Sequence, residues 1–204
     1  MATATPRRTR LEHDERREQI LAAARRLFAE RPPGEVSTTE VAREAGVARG
    51  LLHHYFGTKR DLYLEVVRSM LRYPSQPVPE AGGGGSVDDR LSEAIDRWLT
   101  MARRNRAAWL AAVGAQGVGR DPEVEAILEA SRELAVDRLV ALLDPRGGPE
   151  LRAVLRAYSG FAEAASLEWL VRRRLNREQV HALLLETLTT LVGTILPRIE
   201  RSTA

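Results

Sequence analysis

Apolar residues recur every three or four positions along most of the chain, which is the spacing of one face of an α-helix. The pattern predicts nine helices, at residues 14–31, 37–46, 47–56, 58–73, 87–105, 106–116, 121–143, 149–174 and 176–202. No segment alternates apolar and polar residues in the manner of a half-buried strand, and the sequence contains no internal repeat. The sequence therefore predicts an all-α protein of about nine helices.

Residues at the predicted helix ends have side chains suited to those positions. Ser37 and Glu40 have the spacing of a capping box at the start of the second helix, and a similar pair opens the last helix. Gly46 ends the second helix, where a left-handed backbone is needed. Prolines and glycines at residues 74–87 predict a flexible loop between the fourth and fifth helices.

Composition excludes several classes of protein. The 204 residues include no cysteine, so the chain has no disulfide, no cysteine nucleophile and no thiolate metal site. We find no apolar run near the roughly 18 residues needed to span a bilayer, and the first residues lack the apolar stretch of a signal peptide. These features predict a soluble cytoplasmic protein with no membrane partner.

The net charge of +3 is unevenly distributed along the chain. Residues 1–60 contain 12 basic and 8 acidic side chains, whereas residues 61–204 contain 19 basic and 20 acidic ones. A basic N-terminal part is typical of nucleic-acid binding, although an excess of this size is a weak indication by itself.

Residues 37–56 form two short predicted helices joined at Gly46, which is the spacing of a helix-turn-helix motif. The second helix of such a motif enters the major groove of DNA, and its first residues contact base edges. Arg49 lies in that first turn, and its guanidinium can form two hydrogen bonds with one guanine. The spacing alone fits a plain helical hairpin equally well.

The segments "QILAAARRLFAER" and "TTEVAREAGVARGLLHHYFGTKRDLYLEVV" are similar to the N-terminal domain of TetR-family transcriptional repressors. The similarity covers about residues 16–68 and includes the alanine-rich first helix, the turn at Gly46 and the aromatic block before Lys59. It implies an N-terminal helix-turn-helix DNA-binding domain at 1–72 with an arm at 1–13, a flexible loop at 73–87, and a helical ligand-binding and dimerisation domain at 88–204.

Lys59 is the only lysine in the chain, and the family places a phosphate-binding lysine at this position. A compact ammonium suits a single phosphate. The chain departs from the family at His53, where a tyrosine is usual, and at Tyr55, where a histidine is usual, yet all these side chains can donate to phosphate. The pattern and the resemblance together predict ten DNA-binding residues, which are Thr38, Thr39, Ala48, Arg49, Gly50, Leu51, His53, His54, Tyr55 and Lys59.

Two features near this motif call for a choice between interpretations. Arg7, Arg8 and Arg10 precede the first predicted helix, as a basic arm that either reaches DNA or is a solvated tail. His53 and His54 could suggest a metal site, but adjacent helical residues point about 100° apart and do not both bind one ion well. We therefore predict no metal and no cofactor.

Residues 88–204 contain no arrangement of side chains that predicts catalysis. We find no Ser–His–Asp arrangement, no glycine-rich phosphate loop and no metal-ligand spacing, and His181 is isolated. We therefore do not expect an enzyme.

The last predicted helix has an apolar stripe wider than a single core contact requires. We expect part of this stripe to meet a second subunit, as the family resemblance also implies, although all of it could be intramolecular core. The predicted dimer interface consists of Leu184, Leu188, Leu191, Val192 and Ile195.

Large or hydrogen-bonding side chains between residues 88 and 204 are candidates for a ligand pocket, although each of them singly also fits plain core. These candidates are Trp98, Met101, Trp109, Val113, Gln116, Leu128, Tyr158, Phe161 and Trp169. Aromatic walls with few polar groups suit an apolar or aromatic ligand.

The resemblance thus implies a homodimeric repressor that binds double-stranded operator DNA and is released by an unknown small-molecule effector. The alternatives are a ligand-independent regulator or activator, and a helical interaction protein without DNA binding.

Overall fold

The computed structural model describes residues 6–72, 86–114, 121–144 and 146–203, with the backbone alone at 6–12 and 203. Its helices are α1 (Pro6–Glu30), α2 (Thr38–Glu44), α3 (Arg49–Phe56), α4 (Lys59–Leu71), α5 (Val87–Arg104), α6 (Arg106–Ala112), α7 (Pro122–Leu143), α8 (Pro149–Leu170), α9 (Arg177–Thr190) and α10 (Leu196–Thr203). A 3-10 turn lies at Pro33–Glu35, and a π-helical turn at Leu191–Ile195 joins α9 to α10 without a break. No strand occurs in these ranges, so the all-α prediction is confirmed, with nine helices when α9 and α10 are counted as one.

The first compact unit consists of the described parts of Met1–Leu71 and Asn105–Glu125. In this unit α1 packs against α2, α4 and α6, and α2 packs against α3. Its core side chains are fully buried, and the largest of them are Trp109, Phe28, Ile20, Leu52 and Leu62. The apolar stripe of α1 therefore joins the helix-turn-helix to α4 and α6 within one unit.

The second compact unit consists of the described parts of Arg72–Arg104 and Ala126–Ala204. Here α9 packs against α5 and α8, and α10 packs against α8. The core between these helices is aliphatic, and its most deeply buried members are Leu99, Leu155, Val180, Leu184 and Leu188. Because leucine and valine dominate this core, most of its stabilisation comes from removing apolar surface from water.

The compact units divide the chain differently from the predicted domains. The continuous part of the first unit ends at Leu71, close to the predicted boundary, but the unit also includes α6 and the first residues of α7. The reason is packing, since α6 contacts α1 and α4 and its Trp109 is completely buried. The functional division at residues 72 and 88 stays a prediction.

Several helix ends differ from the sequence-based prediction, among them the start of α1 and the end of α8. The arm was predicted at residues 1–13, whereas α1 begins at Pro6, so the described part of this segment is helical and its contact with DNA stays a prediction. A proline suits the first position of a helix, where its missing N–H has no intrahelical partner to lose. The C-terminal end of α8 differs as well. This helix stops at Leu170 and does not reach residue 174, and Arg173 has a φ of 53°.

The last helix also corrects the statement that no apolar run approaches a membrane-spanning length. By length and composition, Arg177–Ser202 is apolar enough to cross a bilayer, with a mean hydropathy of 1.4. Only 22% of its most apolar window is buried within the single chain. This helix therefore has apolar surface in addition to the face that packs into the core of its unit.

Candidate nucleic-acid interface

A capping box begins α2, the first helix of the helix-turn-helix. The Ser37 hydroxyl accepts a hydrogen bond from the Glu40 backbone N–H at 3.1 Å, and the Glu40 carboxylate accepts one from the Ser37 N–H at 2.8 Å. Arg31 donates a further hydrogen bond to Glu40 at 2.9 Å. The bond from the Ser37 backbone, followed by the one from Arg31, lowers the pKa of Glu40 to about 2. The predicted capping box is therefore confirmed.

The turn between α2 and α3 depends on a left-handed residue. Gly46 has a φ of +64°, a conformation that strains any residue with a side chain. The next residue, Val47, donates its backbone N–H to the Ala42 carbonyl at 2.9 Å and so closes the turn. This local geometry sets the direction in which α3 leaves the turn.

The first turn of α3 is exposed, whereas its opposite face is anchored. Ala48, Arg49 and Gly50 are exposed, and Leu52 and Phe56 are buried in the core of the first unit. The remaining predicted residues near this turn are Leu51 and Thr38, both half-buried, and Thr39, which is exposed. The side chains predicted to read bases are thus available for contact.

His53 is exposed near the C-terminal end of α3, and its ring has a defined partner. Its Nδ1 lies 2.8 Å from the carbonyl oxygen of Gly57. Gly57 ends the helix with a φ of +69° and donates its N–H to the His53 carbonyl at 2.9 Å. The ring is therefore held to the residue that terminates the helix.

Tyr55 and His54 form an aromatic cluster with His13 of α1. The ring of Tyr55 is half-buried, with its centroid 4.5 Å from that of His13. The exposed ring of His54 meets both partners edge to face, at 5.4 Å from Tyr55 and 6.4 Å from His13. Of the three aromatic residues predicted to bind DNA, Tyr55 is thus the one that mainly packs against the protein.

Lys59, at the start of α4, has a specific partner within the first unit. Its Nζ donates a hydrogen bond to the carbonyl oxygen of Val36 at 2.9 Å, and the side chain is half-buried. The preceding residue, Thr58, caps α4, because its hydroxyl accepts the Asp61 N–H at 3.1 Å while Asp61 accepts the Thr58 N–H at 3.0 Å. Lys59 therefore joins the start of α4 to the segment that leads into α2.

Arg60 forms an ion-pair cluster that the sequence analysis missed. Its Nε and one terminal nitrogen each donate to the Asp121 carboxylate at 2.9 Å, and the other nitrogen lies 2.6 Å from Glu123. The hydrogen bond with Asp121 raises the pKa of Arg60, and the same bond lowers the pKa of Asp121. The two acidic residues neutralise the charge of Arg60, which lies beside Lys59. Arg60 and Asp121 are 61 residues apart in the chain, so no local pattern could have predicted the pair.

A polar cleft of about 310 Å³ lies in the first unit and contains none of the predicted ligand-pocket residues. Its lining consists of Arg17, Tyr55, Phe56, Asp61, Leu64, Glu65, Arg68 and Glu123. Arg17 donates to Glu65 at 2.8 Å, and its guanidinium carbon lies 5.0 Å from the ring centre of Phe56. Within this cleft Arg17 and Arg68 both bind Glu65.

The predicted ligand-pocket residues are divided between the two units. Trp109 and Val113 are buried in the first unit, and Gln116 lies outside the described residues. The second unit contains the others, which are Trp98, Met101, Leu128, Tyr158, Phe161 and Trp169. The prediction of one pocket formed by all nine stays a prediction.

Aromatic residues of the second unit are tied to its core by hydrogen bonds. Trp98 donates its indole N–H to the buried Ser166 hydroxyl at 3.0 Å. Tyr158 donates its hydroxyl to the Leu184 carbonyl at 3.0 Å, and burial raises the pKa of this phenol. Trp98 and Trp169 both pack against the cluster that includes Tyr158.

The predicted dimer interface needs a correction. Leu184 and Leu188 are each 1% exposed in the single chain, so they belong to the core of the second unit and have no surface left for a partner. Leu191 and Val192 are half-buried, and Ile195 is 37% exposed. Further exposed apolar side chains of this unit are Val87, Leu134, Phe161, Val171, Leu183 and Ile199, and Leu183 is one that the sequence analysis missed.

Comparison with known proteins agrees with this geometry. The model of a family described as "Bacterial regulatory proteins, tetR family" matches residues 20–66, and the model "Tetracyclin repressor-like, C-terminal domain" matches residues 87–191. A crystal structure of a TetR-family transcriptional regulator from Streptomyces coelicolor has the same fold, with a TM-score of 0.74. It is 26% identical in sequence, and the match covers 92% of this chain and 89% of that one.

Two curated relatives match parts of the chain. The HTH-type transcriptional regulator BetI of Agrobacterium fabrum is 46% identical over 57 residues, which are 28% of each protein. The HTH-type transcriptional regulator HbdR of Aromatoleum sp. is 33% identical over 132 residues, which are 64% of this chain and 51% of HbdR. The chain thus spans about half or less of the length of these relatives. All are regulators, which confirms the expectation that the chain is not an enzyme.

Proposed function

Because the chain belongs to the TetR family of bacterial transcriptional regulators and has a helix-turn-helix DNA-binding domain, we propose that it is a cytoplasmic homodimeric repressor released from its operator by a small apolar or aromatic ligand. The observation that carries this proposal is the first turn of α3, where Arg49 is exposed beside the buried anchors Leu52 and Phe56. A helix held by one face with an arginine at the start of the other is suited to reading guanine in the major groove.

Thr38, Thr39, Ala48, Gly50 and Leu51 complete the proposed contact surface around Arg49. The small residues at positions 48 and 50 let the helix start approach base edges closely. The two threonines lie in the first turn of α2, where hydroxyl groups can contact the DNA backbone and orient the motif. Phosphate contacts of this kind give affinity, whereas Arg49 gives sequence preference.

Lys59 is proposed to bind a DNA phosphate in addition to the Val36 carbonyl. An ammonium has three donors, so one bond within the protein leaves two for other acceptors. The neighbouring Arg60 is paired with two carboxylates, which leaves Lys59 as the cation at the start of α4 that suits a phosphate. The bond to Val36 would fix the position of the ammonium before DNA arrives.

We place the subunit interface on apolar side chains that the single chain leaves exposed on α8, α9 and the helix that continues from α9. Leu191, Ile195 and Ile199 recur every four residues along that helix, and Leu183 is 39% and Phe161 37% exposed. Exposed apolar surface of this kind is typical of a subunit contact. Two copies of α8 and α9 packed about a two-fold axis would cover it.

The proposed ligand site is the aromatic part of the second unit. Trp98, Tyr158 and Trp169 surround the same core cluster, with the Ser166 hydroxyl as a polar group among them. Met101 and Leu128 are buried elsewhere in this unit and add apolar surface. Aromatic walls with one or two hydrogen-bonding groups suit an apolar or aromatic ligand that has a single polar substituent.

Release of DNA by such a ligand requires that the ligand bind the DNA-free state more tightly. A useful coupling is about 1–3 kcal/mol, and linkage makes it reciprocal. Saturating operator DNA should therefore weaken ligand binding by the same factor by which ligand weakens DNA binding. Equal affinity of the ligand for free and DNA-bound protein would rule out its role as an inducer.

The experiment that tests the function is a competitive DNA-binding titration. A fluorescent duplex with the sequence upstream of the protein's own gene is titrated at several salt concentrations against unlabelled random DNA. We expect binding that random DNA does not displace and that falls steeply with salt. Equal competition by random DNA would contradict a specific repressor, and absence of binding would favour a helical interaction protein.

A further inference from the structure

The hydrogen bond between His53 and Gly57 determines which ring nitrogen carries a proton. A carbonyl oxygen only accepts hydrogen bonds, so the Nδ1 of His53, 2.8 Å from the Gly57 oxygen, must be the donor. In the neutral ring the other nitrogen, Nε2, then has a lone pair and no proton. Nε2 becomes a donor only when the ring takes up a second proton.

His53 lies where a recognition helix meets the DNA backbone. It follows Arg49 by four residues and so faces the same exposed side of α3, one turn nearer the C-terminal end. The first residues of a recognition helix contact bases, and its far end can contact the backbone. A positive charge is also favoured at the C-terminal end of a helix, where carbonyl oxygens are exposed.

From this geometry we propose that His53 makes operator binding proton-dependent, an inference that rests on the DNA-binding function proposed above. The neutral ring would direct the lone pair of Nε2 at an anionic phosphate oxygen, which repels it. The imidazolium instead offers an Nε2–H donor and a positive charge, and it forms a charge-assisted hydrogen bond with the phosphate. Formation of the complex from the neutral ring therefore takes up one proton per subunit.

The carboxylates on the helices around α3 already have partners. Among the described residues of α2 and α4, every carboxylate has another partner: Glu40 binds Ser37 and Arg31, Glu44 binds Arg26, Asp61 binds Thr58, and Glu65 binds Arg17 and Arg68. The basic residues of these helices are Arg43, Lys59, Arg60 and Arg68, and His13 of α1 contacts Tyr55 and His54. A DNA phosphate is thus the anion that would hold His53 in its charged form.

The direction of the pH effect follows from where the proton is bound more tightly. A ring that holds its proton more tightly in the complex adds affinity at low pH, and this affinity is lost as the pH rises. Histidine is the side-chain type whose charge ordinarily changes near neutral pH, and this cysteine-free protein has four of them. A change of affinity in this range can therefore be assigned by replacing histidines one at a time.

The test is an operator titration with the full-length protein at pH 6, 7 and 8 and constant ionic strength. We expect the wild-type protein to bind about tenfold more tightly per subunit at pH 6 than at pH 8, and its salt dependence to be steeper at pH 6 by about one ion per subunit. His53→Gln should bind with little pH dependence, because a neutral amide donates at every pH. His181→Gln, the matched control in the second unit and outside the helix-turn-helix, should keep the wild-type pH dependence.

A second variant guards against loss of folding. His53→Arg is charged at every pH, so it should bind at pH 8 as tightly as the wild type does at pH 6, with an unchanged helical circular dichroism spectrum. Specific but pH-independent binding by the wild type would overturn this inference alone, as would pH dependence that survives in His53→Gln or disappears in His181→Gln. Absence of specific binding at every pH would overturn the proposed function as well.

Discussion

The ammonium nitrogen of Lys59 lies 2.9 Å from the carbonyl oxygen of Val36, which joins the start of α4 to the segment just before α2. The two residues are 23 positions apart, so this contact exists only in the folded protein. It places the only lysine of the chain at the edge of the helix-turn-helix and holds it there. We therefore expect replacement of Lys59 to affect both DNA binding and stability.

Lys59→Ala should weaken binding to all DNA sequences alike and lower the salt slope by about one per subunit. Loss of the bond to Val36 should also lower the free energy of unfolding by about 1 kcal/mol. Salt-dependent DNA titrations and urea denaturation measure the two effects. Arg60→Ala is the adjacent control, and its salt slope should stay near the wild-type value because Asp121 and Glu123 already neutralise that charge. A changed base preference with an unchanged slope in Lys59→Ala would contradict the phosphate role.

Arg49→Ala should relax base preference at one position of each half-site, at a cost of about 1–3 kcal/mol for the preferred base. The reason is the loss of a guanidinium at the exposed first turn of α3. Selection of binding sites from a randomised duplex measures this preference. The salt slope of DNA binding distinguishes this role from that of Lys59. Equal weakening of binding to all sequences would identify Arg49 as a backbone contact.

Ile195→Arg and Leu183→Arg should give folded monomers, because both side chains are exposed in the single chain and lie on the proposed interface. Leu188→Arg should instead lower stability by about 4 kcal/mol or more, because it buries an unpaired charge in the core of the second unit. Light scattering and circular dichroism at low micromolar concentration separate the two outcomes. Leu134→Arg, on α7 and 44% exposed, is the control and should stay dimeric. Dimers of wild-type stability in both interface variants would show that the contact lies elsewhere.

The capping box of α2 should respond to acid in a defined range. The pKa of Glu40 is lowered to about 2 from an ordinary value of 4.5, so its contribution to stability is complete above pH 4.5 and is lost as the pH falls towards 2. Carboxyl chemical shifts measured by NMR should follow this titration. In Ser37→Ala the pKa of Glu40 should move towards its ordinary value through loss of the box geometry, and a shift of less than about half a unit would mean that the residue 37 backbone N–H and Arg31 hold the carboxylate without the hydroxyl. Glu40→Gln keeps the box without a titrating group and serves as the control.

Features that arise from residues close together in the chain could be predicted from the sequence. Ser37 and Glu40 are three residues apart, and Gly46 follows its helix directly, so the capping box and the left-handed turn could be predicted from spacing. The helical period of the apolar residues likewise determined the all-α class and the order of the helices. The buried anchors of α3 and its exposed first turn follow from the same period.

The partner that each apolar helix face contacts depends instead on the tertiary structure. An apolar stripe indicates that a helix face is covered, but the stripe is the same whether the cover is the protein's own core or a second subunit. Leu184 and Leu188 are buried in the core, whereas Leu183 and Ile195 stay exposed on the same helix, because α5 and α8 lie against one side of it. The bonds of Lys59 to Val36 and of Arg60 to Asp121 join residues 23 and 61 positions apart, and such pairs form only when the packing of helices brings their backbones together.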